Sequence, residues 1–459
     1  MTTRKPRGHW HLWVEYGFVA AIVIAMAYTA WFFHENGHLP QPWFYEPWGT
    51  FMDWYSLAFW GHFRGAYDIA GTIYPPLSFV VLKIFSFRRC YIDNGSEAAR
   101  DCDWLGIVAL SGILIVNIVL TFMTFYKVDR RTFFPRAFAL SLGFPMIFTF
   151  ERGNLLLFCY TCVLLGFGPL IRSARLRWWF GGMALNFKIY LVGAALAPLL
   201  FRRWLQTEGI IFAALIIYLV TWAILGEGSP AQVFGNVRNY AAGFGSTELN
   251  ALWYPSSLIP AITLLQGLSF QITSVLNSDL VDTLLLVAII LARTTQLLIV
   301  LAAVAVWLRP EVVPRHRIVF FAIAMAVTTS EVGGYTEMLL LLFVFMERWR
   351  GAARPIALIL AYILCVPAEY VWSKLPPLVQ SSYLIGGASV YGEYGVGIFS
   401  LLRPLIAMLI IWCLASVTLR EVWADIQTQG WKTRWRFRRD FPIMVGEGAA
   451  RPPAAPRPE

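Results

Sequence analysis

The sequence predicts an all-α fold, a polytopic transmembrane bundle of about ten spanning helices with additional re-entrant or interfacial helices. Of its 459 residues, 58% are hydrophobic and only 14% are charged, whereas soluble domains carry about 25% charged residues. The mean hydropathy is +0.60. Apolar runs able to cross a hydrocarbon core of about 30 Å recur along the chain. These observations exclude an ordinary soluble globule and indicate an integral membrane protein.

The apolar runs give the predicted spans in order. The first follows a basic start with Arg4, Lys5 and Arg7 and lacks a small-residue cleavage site, so we expect an uncleaved helix and a cytoplasmic N-terminus. An even number of crossings then returns the C-terminus to the cytoplasm. The predicted spans are residues 17–33, 104–126, 132–150, 154–171, 209–226, 283–308, 317–329, 335–346, 356–372 and 397–419.

Basic residues occur in short clusters at the ends of these runs. The formal net charge is +10, but this distribution is typical of the positive-inside rule and not of a nucleic-acid-binding surface. The clusters at 127–131, 172–177, 309–317 and 348–354 all face the cytoplasm in this topology. We therefore expect membrane lipids and no nucleic acid as partners, with the basic cluster at 432–439 also able to contact anionic headgroups.

The domain organisation is predicted to be simple. One transmembrane domain covers residues 1–425, and a basic, Pro/Ala-rich cytoplasmic tail covers 426–459. Long external loops are expected at 34–103, 227–282 and 373–396. No internal repeat or soluble domain is evident.

Residues 178–200 break the simple alternation of spans. They lie between two basic clusters that both favour the cytoplasm, and their middle carries Asn186 and Lys188. A re-entrant or broken pair of half-helices explains both facts, because irregular backbone at membrane depth is tolerated where it lines a protein-enclosed cavity. The alternative is that one basic cluster lies outside. We also expect 227–282 to stay outside, with 253–270 on or dipping into the bilayer.

The six cysteines fall into two groups. Cys90 and Cys102 flank a polar, acidic stretch of the first external loop, where an oxidising compartment would allow a disulfide across a short loop. The spacing alone leaves the free pair as an equal alternative. Cys159 and Cys162 have the spacing of a redox motif, but they lie in an apolar run, so we interpret them as packing residues.

Asp53 is the first candidate for chemistry. A carboxylate near a dry membrane boundary can act as a general base toward a hydroxyl. The alternative is a solvated loop carboxylate or an ion-pair partner of Arg64. The surrounding aromatic residues suit a segment at headgroup depth; they are Trp48, Trp54, Tyr55 and Trp60.

Two further positions of the first external loop are weaker candidates. Asp68 is its second acid. Tyr74 precedes Pro75 and Pro76 and an apolar run too short to span, so a simple helix entry is the alternative to a binding role.

Two later positions could bind a phosphate group. In Glu151-Arg152-Gly153-Asn154, a buried Arg152 could hold phosphate in a bidentate manner, oriented by Glu151, while Gly153 lets the backbone approach. A turn closed by a salt bridge is the alternative. Lys188 could act as a point-charge phosphate ligand, and the alternative is a side chain that snorkels to the cytoplasm.

A polar stretch between two short apolar runs, residues 330–337, contains Glu331 and Tyr335. Acids and a tyrosine here could bind sugar hydroxyls. The histidines of the first external loop lack the spacing and the cysteine or carboxylate pattern of a zinc site. We therefore predict no metal site and no cofactor; a divalent ion has no support in the sequence.

The order of these motifs resembles that of the GT-C membrane glycosyltransferases, and most closely glycosyltransferase family 87, the polyprenyl-phosphate-mannose-dependent mannosyltransferases. The resemblance extends from about residue 12 to about residue 420 and is carried by short motifs in a common order. These are Asp53-Trp54-Tyr55, Tyr74-Pro75-Pro76, Glu151-Arg152-Gly153-Asn154, Asn186-Phe187-Lys188 and Tyr335.

The resemblance implies that Asp53 deprotonates an acceptor hydroxyl, which displaces a lipid phosphate from the anomeric carbon with inversion. The family commonly has Gly-Gln-x-x-Asn where this chain has Glu151-Arg152-Gly153-Asn154, so the sugar need not be mannose. The expected partners are a polyprenyl-phosphate-linked sugar donor and a lipid or glycan acceptor. The expected location is the bacterial cytoplasmic membrane, with the active site on its outer face.

The predicted site therefore contains Asp53 as catalytic base and Arg152 and Lys188 as donor phosphate ligands. Two other functions stay open at this point: a transporter or flippase of lipid-linked sugars, and a polysaccharide ligase or polymerase. The predicted substrate-binding residues are Asp68, Tyr74, Glu151, Asn154, Asn186, Asn250, Glu331 and Tyr335.

Overall fold

Helices make up most of the protein. The computed structural model describes residues 10–43, 47–92, 95–242, 255–259, 262, 277–329, 332–374, 377–392 and 395–431. The helices are α1 Trp10–Asn36, α2 Met52–His62, α3 Pro76–Ile84, α4 Ser96–Cys102, α5 Trp104–Val128, α6 Phe133–Leu142, α7 Phe144–Arg152, α8 Leu156–Phe167, α9 Ala174–Phe187, α10 Val192–Leu200, α11 Trp204–Leu225, α12 Pro230–Ala242, α13 Ser278–Leu308, α14 Arg315–Thr329, α15 Glu337–Val344, α16 Ala353–Cys365 and α17 Phe399–Gln429.

The long apolar helices support the predicted membrane character of the chain. In the part of the chain that the structure describes, six helical segments are long and apolar enough to cross a bilayer, namely α1, α5, α6 with α7, α11, α13 and α17. Four shorter apolar helices lie at 156–167, 189–200, 334–344 and 353–365. The total number of crossings stays a prediction.

The long helices differ in how much of their surface the protein covers. In the most apolar 18-residue stretch of α1, α5, α11 and α13, only about one fifth of the residues are buried inside the protein. In the corresponding stretch of α6 and α7, 67% are buried. Exposed Ile, Leu and Val side chains dominate the uncovered faces, as expected for surfaces that contact lipid tails. Helix α7, which ends in the predicted Glu-Arg-Gly-Asn motif, is thus an interior element.

The predicted break in residues 178–200 is confirmed. Helix α9 ends at Phe187, a 3₁₀ turn covers Ile189–Leu191, and α10 begins at Val192. Lys188 at the break has an extended backbone, with φ −141° and ψ 105°. Its side chain is buried, so the polar residue that marks the break in the sequence lies inside the protein.

The fold is mainly helical, as predicted, and residues 371–397 add four short strands that were not predicted. Here β1 (Val371–Lys374) pairs antiparallel with β4 (Gly395–Gly397), and β2 (Leu378–Ser382) pairs with β3 (Ala388–Gly392). Gly386 and Gly387 have φ values of 70° and 82° and make the turn between β2 and β3. The span predicted at 356–372 was therefore too long, because its helix ends at Cys365 and a strand follows.

The first long loop is packed more deeply than predicted. Trp54 and Tyr55 of α2 are fully buried, so the interfacial aromatic position expected for them is wrong. The Tyr55 hydroxyl donates to the carbonyl of Asp103 at 2.7 Å, and burial followed by the charge of Asp103 raises the pKa of Tyr55. Helix α2 is therefore a structural part of the bundle.

The cysteine predictions agree with the structure. Cys90 and Cys102 form a disulfide with a Cα–Cα distance of 5.6 Å, so the first of the two sequence alternatives is confirmed. Cys159 and Cys162 are buried, free thiols, as expected for packing residues.

Candidate functional site

The candidate site begins at the start of α2. Phe51 precedes this helix in the left-handed region, with φ 63° and ψ 4°, a conformation that is uncommon for a non-glycine residue. The turn directs the chain so that Asp53 is the second residue of α2. The Asp53 side chain is 23% exposed, so it is partly enclosed but open to another molecule.

The second part of the site is the turn between α7 and α8. Gly153 ends α7 with φ 69° and ψ 28°, and its missing side chain leaves room for the backbone of Phe51. A Cβ atom on Gly153 would lie 2.9 Å from the Phe51 carbonyl oxygen. The glycine therefore permits a close backbone approach, as predicted, but the approaching group is Phe51.

Arg152 and Asn154, on either side of this glycine, both bind Asp53. The Arg152 guanidinium donates to Asp53 Oδ1 at 2.8 Å, and the Asn154 amide donates to Oδ2 at 2.8 Å. A second guanidinium nitrogen donates to the Gly49 carbonyl at 3.0 Å. Both carboxylate oxygens are thus held by one turn, and Arg152, not Arg64, is the ion-pair partner.

Glu151 anchors the same two segments by other atoms. Its backbone carbonyl accepts from the Phe51 amide at 2.8 Å, and its side chain accepts from the Thr50 hydroxyl at 3.1 Å. Glu151 therefore holds the loop that precedes Asp53 through both its backbone and its side chain. Thr50 is a site residue that sequence reasoning missed, because a threonine in a turn carries no signal for this contact.

A second polar group lies at the break between α9 and α10. The Lys188 ammonium donates to the Tyr74 hydroxyl at 2.9 Å. The same ammonium lies 4.2 Å from the centroid of the Tyr74 ring and 5.9 Å from that of Tyr335, within the range of cation–π attraction. The buried Lys188 is thus held by two tyrosines, and a snorkelling side chain is excluded.

Tyr335 connects the two groups. It lies within electrostatic range of Asp53 and of Tyr74, and its ring stacks on Phe148 of α7 with a centroid distance of 6.4 Å. Residues from α2, α7, α9 and the 3₁₀ turn Gly334–Thr336 therefore converge on one region. Tyr335 meets Lys188 through its ring, and its interaction with Asp53 is electrostatic.

Two predicted residues lie elsewhere. Asp68 is exposed and accepts from the Gln232 amide at 2.8 Å. Asn186 donates to the carbonyls of Gly182 and Ala214, at 2.9 and 3.0 Å, so its amide nitrogen joins α9 to α11. Their substrate-binding roles stay predictions without a contact to Asp53 or Lys188.

Asn250 and Glu331 fall outside the described residues, and so does most of the segment 253–270. Among the residues that are described, no group of three or more His, Cys, Asp or Glu side chains is placed to hold a metal ion. The polar groups brought together are one carboxylate, two cations, an amide and two phenols. Such a set can accept a proton from a hydroxyl and can bind an anion.

Comparison with known proteins identifies no relative for this chain. The sequence matches no protein-family model, and no curated protein or solved structure matches it.

Proposed function

We propose that this chain is an integral-membrane glycosyltransferase that transfers a sugar from a polyprenyl-phosphate donor to a hydroxyl group of a lipid or glycan acceptor. One observation carries the proposal. The Asp53 carboxylate is held by Arg152 and Asn154 in the partly open region that also contains the buried Lys188 and its two tyrosines. The site thus pairs a proton acceptor with an anion-binding cation.

Asp53 is the general base in this proposal. Each carboxylate oxygen accepts one hydrogen bond from the α7–α8 turn, and each retains capacity to accept another. Two donors from one rigid turn restrict rotation of the carboxylate, so it is oriented before the acceptor arrives. A base that is already oriented loses less conformational freedom in the transition state.

The proposed reaction is a single displacement. The acceptor O–H bond breaks as its proton passes to Asp53, and the oxygen lone pair forms a bond to the anomeric carbon. The bond between that carbon and the phosphate oxygen breaks, and the lipid phosphate leaves with the electron pair. One displacement inverts the configuration at the anomeric carbon.

Lys188 is assigned to the departing phosphate. A compact ammonium group is a common phosphate ligand, and in a buried position its charge is poorly screened by water. The guanidinium of Arg152 is already directed at Asp53 and Gly49. We therefore propose that Arg152 mainly orients Asp53. Only its remaining N–H groups are available to bind the phosphate of the sugar donor.

Two other observations support this assignment. The ordered motifs that resemble glycosyltransferase family 87 include Asp53, Tyr74, Lys188 and Tyr335, which are the residues that come together. The Cys90–Cys102 disulfide suits an oxidising compartment. We accordingly propose that the site opens to the outer side of a bacterial cytoplasmic membrane, with both termini in the cytoplasm.

The test is a comparison of two acids from the same segment. Purified Asp53→Asn and Asp68→Asn proteins in lipid nanodiscs are given radiolabelled polyprenyl-phosphate-mannose and a total membrane lipid extract as acceptor. We expect D53N to reduce transfer by about 10²- to 10⁴-fold, the usual contribution of a general base. D68N is the matched control, because Asp68 is exposed and accepts from Gln232. Its predicted role is substrate binding, so D68N can raise the KM but should leave the kcat for transfer close to the wild-type value. Wild-type rates for D53N end the general-base assignment.

The broken helix at Lys188 also favours a second candidate, a transporter of lipid-linked sugars, because interrupted helices commonly line transport sites. The two functions differ in their products. Movement of the intact lipid-linked sugar across vesicles without a new glycosidic product supports the transporter, whereas D53N-sensitive glycosidic product supports the transferase.

A further inference from the structure

We propose that Arg100 is a positioning residue for Asp53. Arg100 lies on α4 and is only 1% exposed. Nothing in the sequence singles it out, since an arginine in a polar, acidic stretch resembles a solvated loop residue. Its hydrogen bonds, however, are made with the segment that leads to Asp53, and its guanidinium also stacks on an aromatic side chain from the strand region.

The first contact is with the backbone before α2. The Arg100 Nη1 atom donates to the Trp48 carbonyl at 2.5 Å and to the Thr50 carbonyl at 2.6 Å. These oxygens belong to the turn that enters the left-handed residue Phe51. Hydrogen bonds from a charged donor are stronger than those from a neutral donor. Arg100 thus holds the turn that sets the direction of α2.

The second contact is an aromatic sandwich. The guanidinium carbon lies 3.7 Å from the centroid of the Tyr383 ring and 4.6 Å from that of Trp48. A planar guanidinium can stack in this way, whereas an ammonium group cannot. Among the described residues, no carboxylate lies within ion-pair distance of Arg100, and burial lowers its pKa. Burying a cation without a carboxylate partner costs free energy of folding. We take this cost as a sign that the contacts of Arg100 with the Trp48 and Thr50 carbonyls are functionally important.

The helix that carries Arg100, α4, is cross-linked to the rest of the protein by a disulfide. Helix α4 ends at Cys102, whose disulfide to Cys90 fixes it to the preceding turn. On the opposite side of the Trp48–Thr50 turn, Arg152 holds the Gly49 carbonyl and Glu151 holds the Thr50 hydroxyl. The turn is therefore held from α4 on one side and from α7 on the other. Loss of Arg100 removes the hydrogen bonds that hold the turn from the α4 side, so Asp53 can move relative to Arg152.

The structural part of the proposal is tested without any activity assay. Hydrogen–deuterium exchange is measured on wild-type protein, Arg100→Met and the matched control Arg89→Met, in which an exposed arginine of the same region is changed. We expect amides of residues 48–53 to exchange about tenfold faster in R100M, as expected for a loss of about 1.4 kcal/mol in local stability. R89M should leave them unchanged. Unchanged exchange in a folded R100M overturns the proposal.

The kinetic part rests on the proposed function and uses the same variants. We expect R100M to lower kcat about tenfold with the KM for donor within about twofold, because a misplaced base weakens only the transition state. In a D53N background, R100M should cause no further loss, and an additive loss contradicts positioning through Asp53. If wild-type protein shows no transfer at all, the proposed function fails, while the exchange measurement still decides the role of Arg100.

A milder variant covers the case in which R100M does not fold. Arg100→Lys keeps a cationic donor for the two carbonyls but loses the planar stack. We expect kcat about threefold below wild type at an unchanged KM, and exchange at residues 48–53 faster than in R89M. R100K that equals R89M in both measurements overturns the proposal.

Discussion

The Asp53 carboxylate and the Arg152 guanidinium form an ion pair with an N–O distance of 2.8 Å between residues that are 99 positions apart. The two side chains are 23% and 11% exposed, so the pair lies at the edge of the protein interior. A pair in this position is less screened than a surface salt bridge, and either partner depends on the other for its orientation.

This pairing predicts non-additive effects on transfer. Arg152→Gln alone should reduce the rate about 10- to 100-fold, because the carboxylate loses one of its two orienting donors. The double variant D53N/R152Q should be no slower than D53N, since residues that act as a unit do not contribute independently. A double-mutant cycle on initial transfer rates measures this, and simple multiplication of the two single losses contradicts it.

Lys188 is predicted to act on the donor. Lys188→Met should raise the KM for polyprenyl-phosphate sugar at least about tenfold, because a charge-assisted phosphate contact of about 1.5–3 kcal/mol is lost. Lys83→Met, at an exposed position on α3, is the matched control and should have no effect. Equal KM values for K188M and K83M contradict the assignment.

Tyr74→Phe separates the two contacts of this lysine. The variant removes the hydroxyl that accepts from Lys188 at 2.9 Å but keeps the ring that lies 4.2 Å from the ammonium. We expect a smaller rise in the KM for donor than in K188M, since cation–π attraction of about 0.5–2 kcal/mol remains. A rise in KM as large as that of K188M would assign the whole effect to the hydroxyl.

Gly153 allows a prediction about stability with an internal control. Gly153 and Gly351 both have φ 69°, but a Cβ atom would meet the Phe51 backbone only at Gly153 and nothing within 4 Å at Gly351. Gly351→Ala should cost about 1–2 kcal/mol from the left-handed conformation alone. Gly153→Ala should cost more and should also slow transfer. Thermal unfolding in detergent measures the difference, and equal midpoints contradict the role of the close approach.

His62 predicts a pH dependence of stability. Ser86 donates its hydroxyl proton to the Leu82 carbonyl at 2.7 Å, so His62 Nε2 donates to the Ser86 oxygen at 2.7 Å. The other ring nitrogen, Nδ1, is buried and has no acceptor within the described part of the chain. Burial, followed by the charges of Lys83 and Arg88, lowers the pKa of His62 to about 4. The folded protein therefore disfavours the protonated ring.

The sign of the effect follows from proton linkage. Between the ordinary histidine pKa of about 6.5 and the folded value of about 4, the unfolded chain binds up to about one more proton, so stability falls as the pH falls. His62→Gln keeps an amide donor for Ser86 and does not titrate. We expect the thermal midpoint of H62Q to fall less than that of wild type between pH 7 and pH 4.5. Parallel curves contradict the prediction.

The helical part of the fold was predictable because it is encoded in short-range sequence patterns. Apolar runs and the polar break at Asn186 and Lys188 are patterns within a few turns of one helix. They can therefore be recognised without knowing which other helices pack against it. The strands at 371–397 were missed because they are only three to five residues long, too short for an alternating pattern to develop. The pairing of β1 with β4 also joins residues more than twenty positions apart, which no local pattern indicates.

The site was predictable in its members but not in its connections. Asp53, Arg152 and Asn154 were all identified, yet the sequence assigned Arg152 to phosphate and left Asp53 with Arg64 as a possible partner. The contact between residues 99 positions apart follows from tertiary packing. Arg100 was missed for a related reason, because its two acceptors are main-chain carbonyls, which are present at every residue.

The segment before Asp53 receives its last partners from near the other end of the chain. Gln41 exchanges two hydrogen bonds with Gly395 across 354 residues, and the Gly37 carbonyl accepts from Ser382. During synthesis, the segment that leads to Asp53 is therefore made long before Ser382 and Gly395, to which it binds in the folded protein. While most of the chain is being translated, the segment before Asp53 therefore lacks these contacts. A chain that terminates before residue 395 never forms the contacts between Gln41 and Gly395.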